Sequence, residues 1–295
     1  MPTTRVRDVE LFFETFGDPA GPTMLLVCGL GAQCVVYEDE LCQRIAAAGF
    51  HVVRFDNRDV GLSTHLDDAP GDPMAALAAA GAGEVVDAAY TLSDMAADGV
   101  GLLDSLEVDT AHVLGSSMGG MIAQTIAIEH PERVRSLTSL YSTTGEPEVG
   151  SPDPEVLVSL LSIMVPQTTR AGRIDSGVAL ARLIGSPDVF DEARARARTE
   201  LTVDRSYDPA GVSRQMVAIL ASGSRAEGLA QLRVPTMVLH GDRDPLVNIS
   251  GGRRTAELVP GAELRVLEGM GHDMPPSYWD RIIAGATDVA AAASA

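Results

Sequence analysis

The most informative stretch for chemistry is residues 115–119, which read Gly-Ser-Ser-Met-Gly and match the pattern G-x-S-x-G. The stretch follows an apolar run at 111–114 and precedes a helical pattern, so a sharp strand-to-helix turn is expected. Such a turn needs small flanking residues and presents its central serine at a helix N-terminus, where negative charge is favoured. The pattern therefore predicts Ser117 as a nucleophile. Ser116 is the alternative hydroxyl, but glycines do not flank it at this spacing.

A serine hydroxyl is a weak nucleophile unless a neighbouring base accepts its proton. His272 stands in the sequence Gly-Met-Gly-His-Asp, in a predicted loop after the last strand, and is the predicted base. His240 ends another strand on the same side of the sheet, and a packed side chain is its simpler interpretation. The other histidines open strands at the opposite end, lie in an irregular loop or end a helix: His51, His112, His65 and His130.

The base needs an acid to orient it, and residues 240–245, His-Gly-Asp-Arg-Asp-Pro, offer two. Asp244 precedes a proline, which keeps its backbone extended and suits a fixed, buried carboxylate. Asp242 is the alternative, although it can equally be a turn residue bonded to its own backbone. We predict Asp244 as the acid. The chain order Ser117, Asp244, His272 is one of the known orders of a serine triad.

A tetrahedral oxyanion needs two backbone N–H donors. Met118, directly after the predicted nucleophile, offers one. Leu30 is predicted to offer the other, from the loop that follows the apolar run at 24–28. Gly29 and Gly31 flank Leu30 and let the backbone approach a substrate closely. The alternative interpretation of this loop is a simple glycine-rich turn.

Short apolar runs alternate with helical patterns along the chain. Strands are predicted at 24–28, 51–55, 111–114, 136–140, 236–240 and 264–267, and helices at 40–48, 92–106, 118–129, 252–258 and 278–290. Strands without polar alternation, separated by helices, predict an α/β fold with a mostly parallel central sheet covered by helices on both faces. Ligands bind such sheets beyond the carboxyl ends of the strands, where the predicted site residues lie.

One region breaks the alternation, since helical patterns alone occupy 155–164, 175–184, 189–201 and 209–221. We predict a core domain of residues 1–145 and 229–295 with a helical cap, or lid, of residues 146–228. Gly29 is a predicted substrate contact. Some apolar cap residues are predicted to contact substrate as well, and packing within the core of the helical cap explains them equally: Leu160, Leu161, Met164, Met216 and Ile219. Residues 66–89, rich in Gly, Ala, Pro and Asp, are predicted to form an irregular loop.

Composition excludes several classes of function. The chain has 295 residues with a net charge of −19, and all 22 cations are arginines, so neither nucleic acid nor a polybasic membrane anchor is expected. Three cysteines without C-x-x-C spacing predict free thiols, no metal site and a reducing cytoplasm. No apolar run approaches a membrane span. We expect a cytoplasmic monomer or homodimer that acts on a small molecule.

Taken together, residues 115–119, 241–245 and 269–272 resemble the serine α/β-hydrolases, as do 27–31, 54–63 and 119–124. The resemblance covers most of the chain, from Val9 to Trp279, and is strongest to actinobacterial esterases and lipases of the aclacinomycin methylesterase type. It implies the α/β-hydrolase fold and supports Asp244, since the triad acid precedes a proline there. The family usually has histidine before the glycine of the oxyanion loop, where this chain has Cys28.

The resemblance implies a mechanism in which Ser117 attacks an ester carbonyl, His272 takes its proton and Asp244 orients the imidazole. An acyl-enzyme forms and water releases the acid, with no cofactor. Two alternatives stay open: a cofactor-free perhydrolase or C–C hydrolase on the same triad, and a hormone-receptor-like binding protein with slow turnover. Related epoxide hydrolases and dehalogenases carry Asp at the elbow, so Ser117 argues against both.

Overall fold

The protein is built around an eight-stranded sheet, in a computed structural model that describes residues 2–163 and 166–293, with the backbone alone for 160–163. The strands are β1 Thr3–Val6, β2 Val9–Phe16, β3 Thr23–Val27, β4 His51–Phe55, β5 Ala111–Ser116, β6 Val134–Leu140, β7 Thr236–Gly241 and β8 Glu263–Leu267. Their order across the sheet is β1-β2-β4-β3-β5-β6-β7-β8. β1, β2 and β4 pair antiparallel, and all pairs from β4 to β8 are parallel.

Helices connect most of these strands. They are α1 Asp39–Ala47, α2 Pro73–Gly81, α3 Leu92–Ser105, α4 Met118–Glu129, α5 Pro154–Ile163, α6 Arg170–Ile184, α7 Glu192–Arg205, α8 Pro209–Ser222, α9 Ala226–Gln231, α10 Ser250–Leu258 and α11 Pro276–Ala292. Short 3-10 turns occur at Cys34–Val36, Pro131–Arg133 and Pro187–Val189. Within the described residues, no helix is both long and apolar enough to span a membrane.

Successive residues of a strand face opposite sides of a sheet, and β3 shows how this builds two cores. Leu25 and Val27 pack in one cluster with α3 and α4. Met24 and Leu26 pack in the other cluster with α1 and α11. All four side chains are buried, because helices cover both faces. The predicted mostly parallel sheet with helices on both faces is therefore confirmed.

The six predicted strands are all present, but β1 and β2 were not predicted. β2 reads Val-Glu-Leu-Phe-Phe-Glu-Thr-Phe, with buried and partly exposed residues in the same strand. Antiparallel strands near a sheet edge commonly have one solvated face, so they lack the continuous apolar run that marks a central parallel strand. β1 and β2 therefore lack the sequence pattern from which the other six strands are predicted.

The prediction that residues 66–89 are irregular is wrong in part, because they contain α2. The Asp72 side chain accepts hydrogen bonds from the N–H groups of Met74 and Ala75 and so caps this helix, and Pro73 occupies its first turn. Five alanines in the nine residues favour a helix. The glycines and prolines of the region lie around α2 rather than within it, apart from its two terminal residues.

Residues 146–228, hereafter the helical segment, carry α5 to α8 and the start of α9, between β6 and β7. Long polar side chains attach this segment to the loops of the sheet. Arg214 of α8 donates two hydrogen bonds to Asp59, at 2.9 and 2.8 Å, and Arg205 of α7 pairs with Asp56 at 3.0 Å. Both carboxylates are fully buried, so loss of either arginine would leave a buried charge unpaired.

Candidate active site

Ser117 lies at the turn between β5 and α4, with φ 57° and ψ −123°. A serine in this left-handed region is strained, and surrounding packing must hold it there. A Cβ on Gly115 would come 2.0 Å from the carbonyl oxygen of Gly119, and a Cβ on Gly119 would come 2.0 Å from that of Val27. Any side chain at residue 115 or 119 would collide with the backbone, so both positions require glycine. The turn has the predicted strand–turn–helix form.

His272 and Asp244 are joined by a hydrogen bond of 2.8 Å between Nδ1 and Oδ2, and both side chains are buried. The other oxygen of Asp244 accepts from the N–H groups of Leu246 and Val247, at 2.9 and 2.8 Å. Burial opposes ionisation of Asp244, but the charge of His272 and hydrogen bonds from two histidines outweigh it and lower its pKa to about 2. The carboxylate is therefore ionised at neutral pH and fixes the imidazole.

The two alternatives from the sequence lie elsewhere. Asp242 accepts a hydrogen bond from the Gly269 N–H at 2.7 Å, which ties together the loops after β7 and β8. His240 is fully buried behind Asp244, with its Nε2 2.8 Å from the Val247 carbonyl oxygen and 3.5 Å from Asp244 Oδ2. Its Nδ1 has no hydrogen-bond partner within the described part of the chain. His240 therefore lies against the acid and against Val247, which lines the cavity.

The loop at residues 29–31 lies beside the nucleophile. A Cβ built on Gly29 would be 3.6 Å from the Ser117 hydroxyl oxygen. Leu30 and Met118 line the same cavity as Ser117. In residues 2–163 and 166–293, neither the Leu30 N–H nor the Met118 N–H has a hydrogen-bond acceptor. Within the described residues both groups are thus free donors in the loop and helix that adjoin Ser117.

Gln215 of α8 fixes this loop from the helical segment. Its side-chain oxygen accepts from the Gly31 N–H at 2.8 Å, and its nitrogen donates to the Arg58 carbonyl oxygen, also at 2.8 Å. The Gln215 side chain is fully buried; its hydrogen bond to Arg58 is buried and its hydrogen bond to Gly31 is partly buried. Sequence analysis missed Gln215, because nothing local to residue 215 indicates a partner 184 positions away.

Two tyrosines surround the elbow and were also missed. The ring of Tyr141 lies 4.5 Å from that of His272, centre to centre, and Tyr141 directly follows β6. Its place at the carboxyl end of a strand is the signal that could have found it. The Tyr37 hydroxyl lies 3.0 Å from Ser116 Oγ, so the Ser116 side chain is engaged in a hydrogen bond. Burial raises the pKa of both tyrosines, which keeps them protonated.

A cavity of about 380 Å³ contains Ser117 and His272 in its wall. Of the predicted substrate contacts, Gly29, Met216 and Ile219 line it, whereas Met164 and the side chains of Leu160 and Leu161 lie outside the described residues. Further side chains of the helical segment complete the apolar wall: Pro152, Leu157, Leu180, Ile184 and Leu220. The cavity therefore lies between the strand ends and the helical segment.

One group of side chains has the composition of a cation site, outside this cavity. Asp59, His65 and Asp208 have ligand atoms within 4.8 Å of one another. Arg214 already pairs with both carboxylates, at 2.8 and 3.4 Å, and His65 Nδ1 lies 2.7 Å from Asp208. We interpret the group as an ion-pair cluster that joins α8 to the loop after β4.

The comparison with known protein families decides the assignment of the fold. A family profile described as alpha/beta hydrolase fold matches residues 22–275 of the chain. The chain belongs to the alpha/beta hydrolase fold family. The matched span runs from β3 to the loop before α11 and so includes the residues of the predicted triad and both predicted oxyanion donors.

Relatives of this alpha/beta hydrolase include two named enzymes from streptomycetes. Rhodomycin D methylesterase DauP of a Streptomyces species (strain C5) and rhodomycin D methylesterase DnrP of Streptomyces peucetius are each 29% identical to it, over 93% of both chains. Among solved structures, the enol-lactonase of Burkholderia xenovorans LB400 matches with a TM-score of 0.76 and 21% identity over 98% of this chain and 99% of that one. A meta-cleavage product hydrolase of Pseudomonas fluorescens IP01 matches with a TM-score of 0.76 and 20% identity, over 99% and 98%.

Proposed function

We propose that this alpha/beta hydrolase is a carboxylic ester hydrolase that cleaves its substrate through Ser117, His272 and Asp244. The observation that carries the proposal is the 2.8 Å hydrogen bond between His272 and an ionised, buried Asp244, in the wall of a cavity that also contains Ser117. Methyl esters are the first substrates to consider, since two relatives over nearly the whole chain are named methylesterases.

In the proposed first step, Ser117 Oγ attacks the ester carbonyl carbon while His272 Nε2 accepts the hydroxyl proton. Asp244 holds Nδ1 protonated, so that Nε2 is the free base. The Leu30 and Met118 N–H groups donate to the oxyanion. The ester C–O bond then breaks, His272 returns the proton to the alcohol, and an acyl-Ser117 ester remains.

In the second step, water enters and His272 takes one of its protons as the oxygen attacks the acyl carbon. The acid leaves and the proton returns to Ser117. We propose that residues 146–228 act as a cap over this site, on a core of residues 1–145 and 229–295. Its apolar wall would limit access of bulk water and select the acyl or alcohol group of the ester.

A cytoplasmic location is also proposed. The three cysteines are free and buried, and burial raises the pKa of each thiol. Free thiols fit a reducing compartment.

The deciding experiment measures multiple turnover on a size-graded panel of p-nitrophenyl and methyl esters. Ser117→Ala removes the nucleophile and should lower kcat about 10⁴- to 10⁶-fold while leaving the circular dichroism spectrum unchanged. Phenylmethylsulfonyl fluoride should label Ser117 and leave Ser116 unlabelled, as shown by peptide mass spectrometry. Near-normal turnover by Ser117→Ala would disprove the assignment, and a single burst without turnover would indicate a binding protein.

A further inference from the structure

One arginine of helix α7 differs from the others. Three arginines of this helix form ion pairs, namely Arg194 with Glu38, Arg196 with Asp175 and Arg205 with Asp56. The fourth, Arg198, has neither an ion pair nor a hydrogen bond with any residue that the structure describes. Its unpaired state is therefore specific to one position of the helix.

Arg198 is also the arginine that lines the cavity of Ser117 and His272. It is partly buried, and the wall around it is mainly apolar. Burial raises the pKa of Tyr141, the tyrosine that contacts His272; the charge of Asp273 raises this pKa further and the charge of Arg198 lowers it, so both charged side chains lie near Tyr141. The unpaired cation thus lies near the reacting groups.

An acidic side chain in the cavity wall does not pair with Arg198. Asp273 lines the same cavity, but its Oδ1 accepts a hydrogen bond from Ser186 Oγ at 2.5 Å, and it forms no ion pair with Arg198. A partly desolvated guanidinium without a counter-ion is unfavourable, and an anion that enters the cavity would relieve this. The net charge of −19 repels anions at long range, whereas the positive charge of Arg198 attracts them inside the cavity.

We propose that the natural substrate carries a free carboxylate in addition to the scissile ester, and that Arg198 binds this carboxylate and so determines specificity. A planar guanidinium matches a carboxylate through two parallel hydrogen bonds, which a neutral group of the same shape cannot accept with equal strength. The inference rests on the proposed ester hydrolysis at Ser117 and adds the chemical class of the substrate.

The test compares pairs of esters that differ in charge and match in shape. Mono-p-nitrophenyl esters of succinate, adipate and suberate carry a terminal carboxylate, and the branched alkanoates that end in an isopropyl group are their neutral counterparts. A second series carries the carboxylate on the alcohol side. It consists of the phenolic acetates of 4-hydroxyphenylalkanoates, and its neutral counterparts have an isopropyl group in place of the carboxylate. We expect the wild-type protein to prefer the anionic member, by kcat/KM, at one chain length of at least one series.

Arg198→Met should reduce that preference by about tenfold, with little change for the neutral esters. Arg198→Lys should keep part of it. Arg196→Met is the matched control, because Arg196 lies on the same helix and pairs with Asp175 outside the cavity; it should leave the preference unchanged. The inference is overturned when wild-type protein hydrolyses neutral esters through Ser117 yet prefers none of the anionic ones, or when Arg198→Met keeps the preference. Failure on every ester overturns ester hydrolysis itself.

Discussion

The strand ends and the helical segment hold their functional side chains in different ways. At the end of β7 the partners of the predicted acid are local, since Asp244 is fixed by the N–H groups of Leu246 and Val247, two and three residues away. In the helical segment they are distant: Arg214 reaches Asp59 across 155 positions and Gln215 reaches Gly31 across 184. The acid is therefore set by short-range structure, whereas the base and the cavity wall depend on long-range contacts, since the His272 N–H donates to the Ile184 carbonyl oxygen at 2.7 Å.

The largest effect should come from breaking the local arrangement. Asp244→Asn should lower kcat about 10⁴-fold, because an amide facing His272 favours the wrong tautomer of the imidazole. The two N–H groups that bind Oδ1 can keep the side chain in place, so the fold should persist. Asp242→Asn is the matched control, since Asp242 bonds to Gly269 instead of His272. The measurement is kcat for ester hydrolysis by the two variants. Equal losses of kcat in Asp244→Asn and Asp242→Asn would contradict the assignment of Asp244 as the acid.

A smaller effect should follow from breaking one long-range contact. Gln215→Leu removes the acceptor of the Gly31 N–H and releases the loop at residues 29–31, so kcat should fall about 10- to 100-fold with KM little changed. Ser213→Ala on the same helix is the control, because the Ser213 hydroxyl donates to the Pro209 carbonyl oxygen of its own helix. Steady-state kinetics separate kcat from KM. A rise in KM alone would mean that Gln215 shapes the binding site rather than the oxyanion loop.

Substitution in the cavity wall should alter selectivity more than reactivity. Met216→Trp adds bulk to α8 where it faces the cavity, and it should exclude the larger esters of a size-graded panel. For p-nitrophenyl acetate, kcat/KM should stay within about tenfold of the wild-type value. An unchanged profile across the panel would show that residue 216 only packs the helix, and equal losses on all esters would indicate a displaced triad.

The smallest effect is a pH dependence of stability, at the cluster of Asp59, His65 and Asp208 between the helical segment and the loop after β4. His65 lies between two acceptors, with Nδ1 2.7 Å from Asp208 and Nε2 3.1 Å from the Gly61 carbonyl oxygen. Burial lowers the pKa of His65, but these two hydrogen bonds outweigh burial and raise it overall. Protonated His65 therefore stabilises the folded protein.

That contribution is fully present below the ordinary histidine pKa of about 6.5 and is lost as pH rises through the raised value in the folded state. His65→Gln should thus lower the free energy of unfolding more at pH 5.5 than at pH 8.5, as measured by urea titration. His130→Gln serves as the control, since His130 is not part of this cluster. A deficit that is equal at both pH values would show that His65 acts only through packing.

The same contrast explains what the sequence could predict. Residues 115–119 and 240–245 carry their own turn chemistry, so the elbow and the two-aspartate loop could be located from spacing alone. β2 mixes buried, partly buried and exposed residues, and α2 lies among glycines and prolines, so neither element was predicted from the sequence. The roles of Gln215 and Arg198 arise only when distant parts of the chain meet, and nothing next to them in sequence indicates those roles.

The packing of the elbow has a consequence for how such an enzyme can evolve. A side chain on Gly115 or Gly119 would collide with backbone 2.0 Å away, so in a saturation library every replacement at these two positions should be lost. Met216 and Ile219 face open space on a helix that is anchored through other side chains, and many residues should be accepted there. A lineage can therefore acquire new substrates through the inner face of α8 while the reaction itself is inherited unchanged.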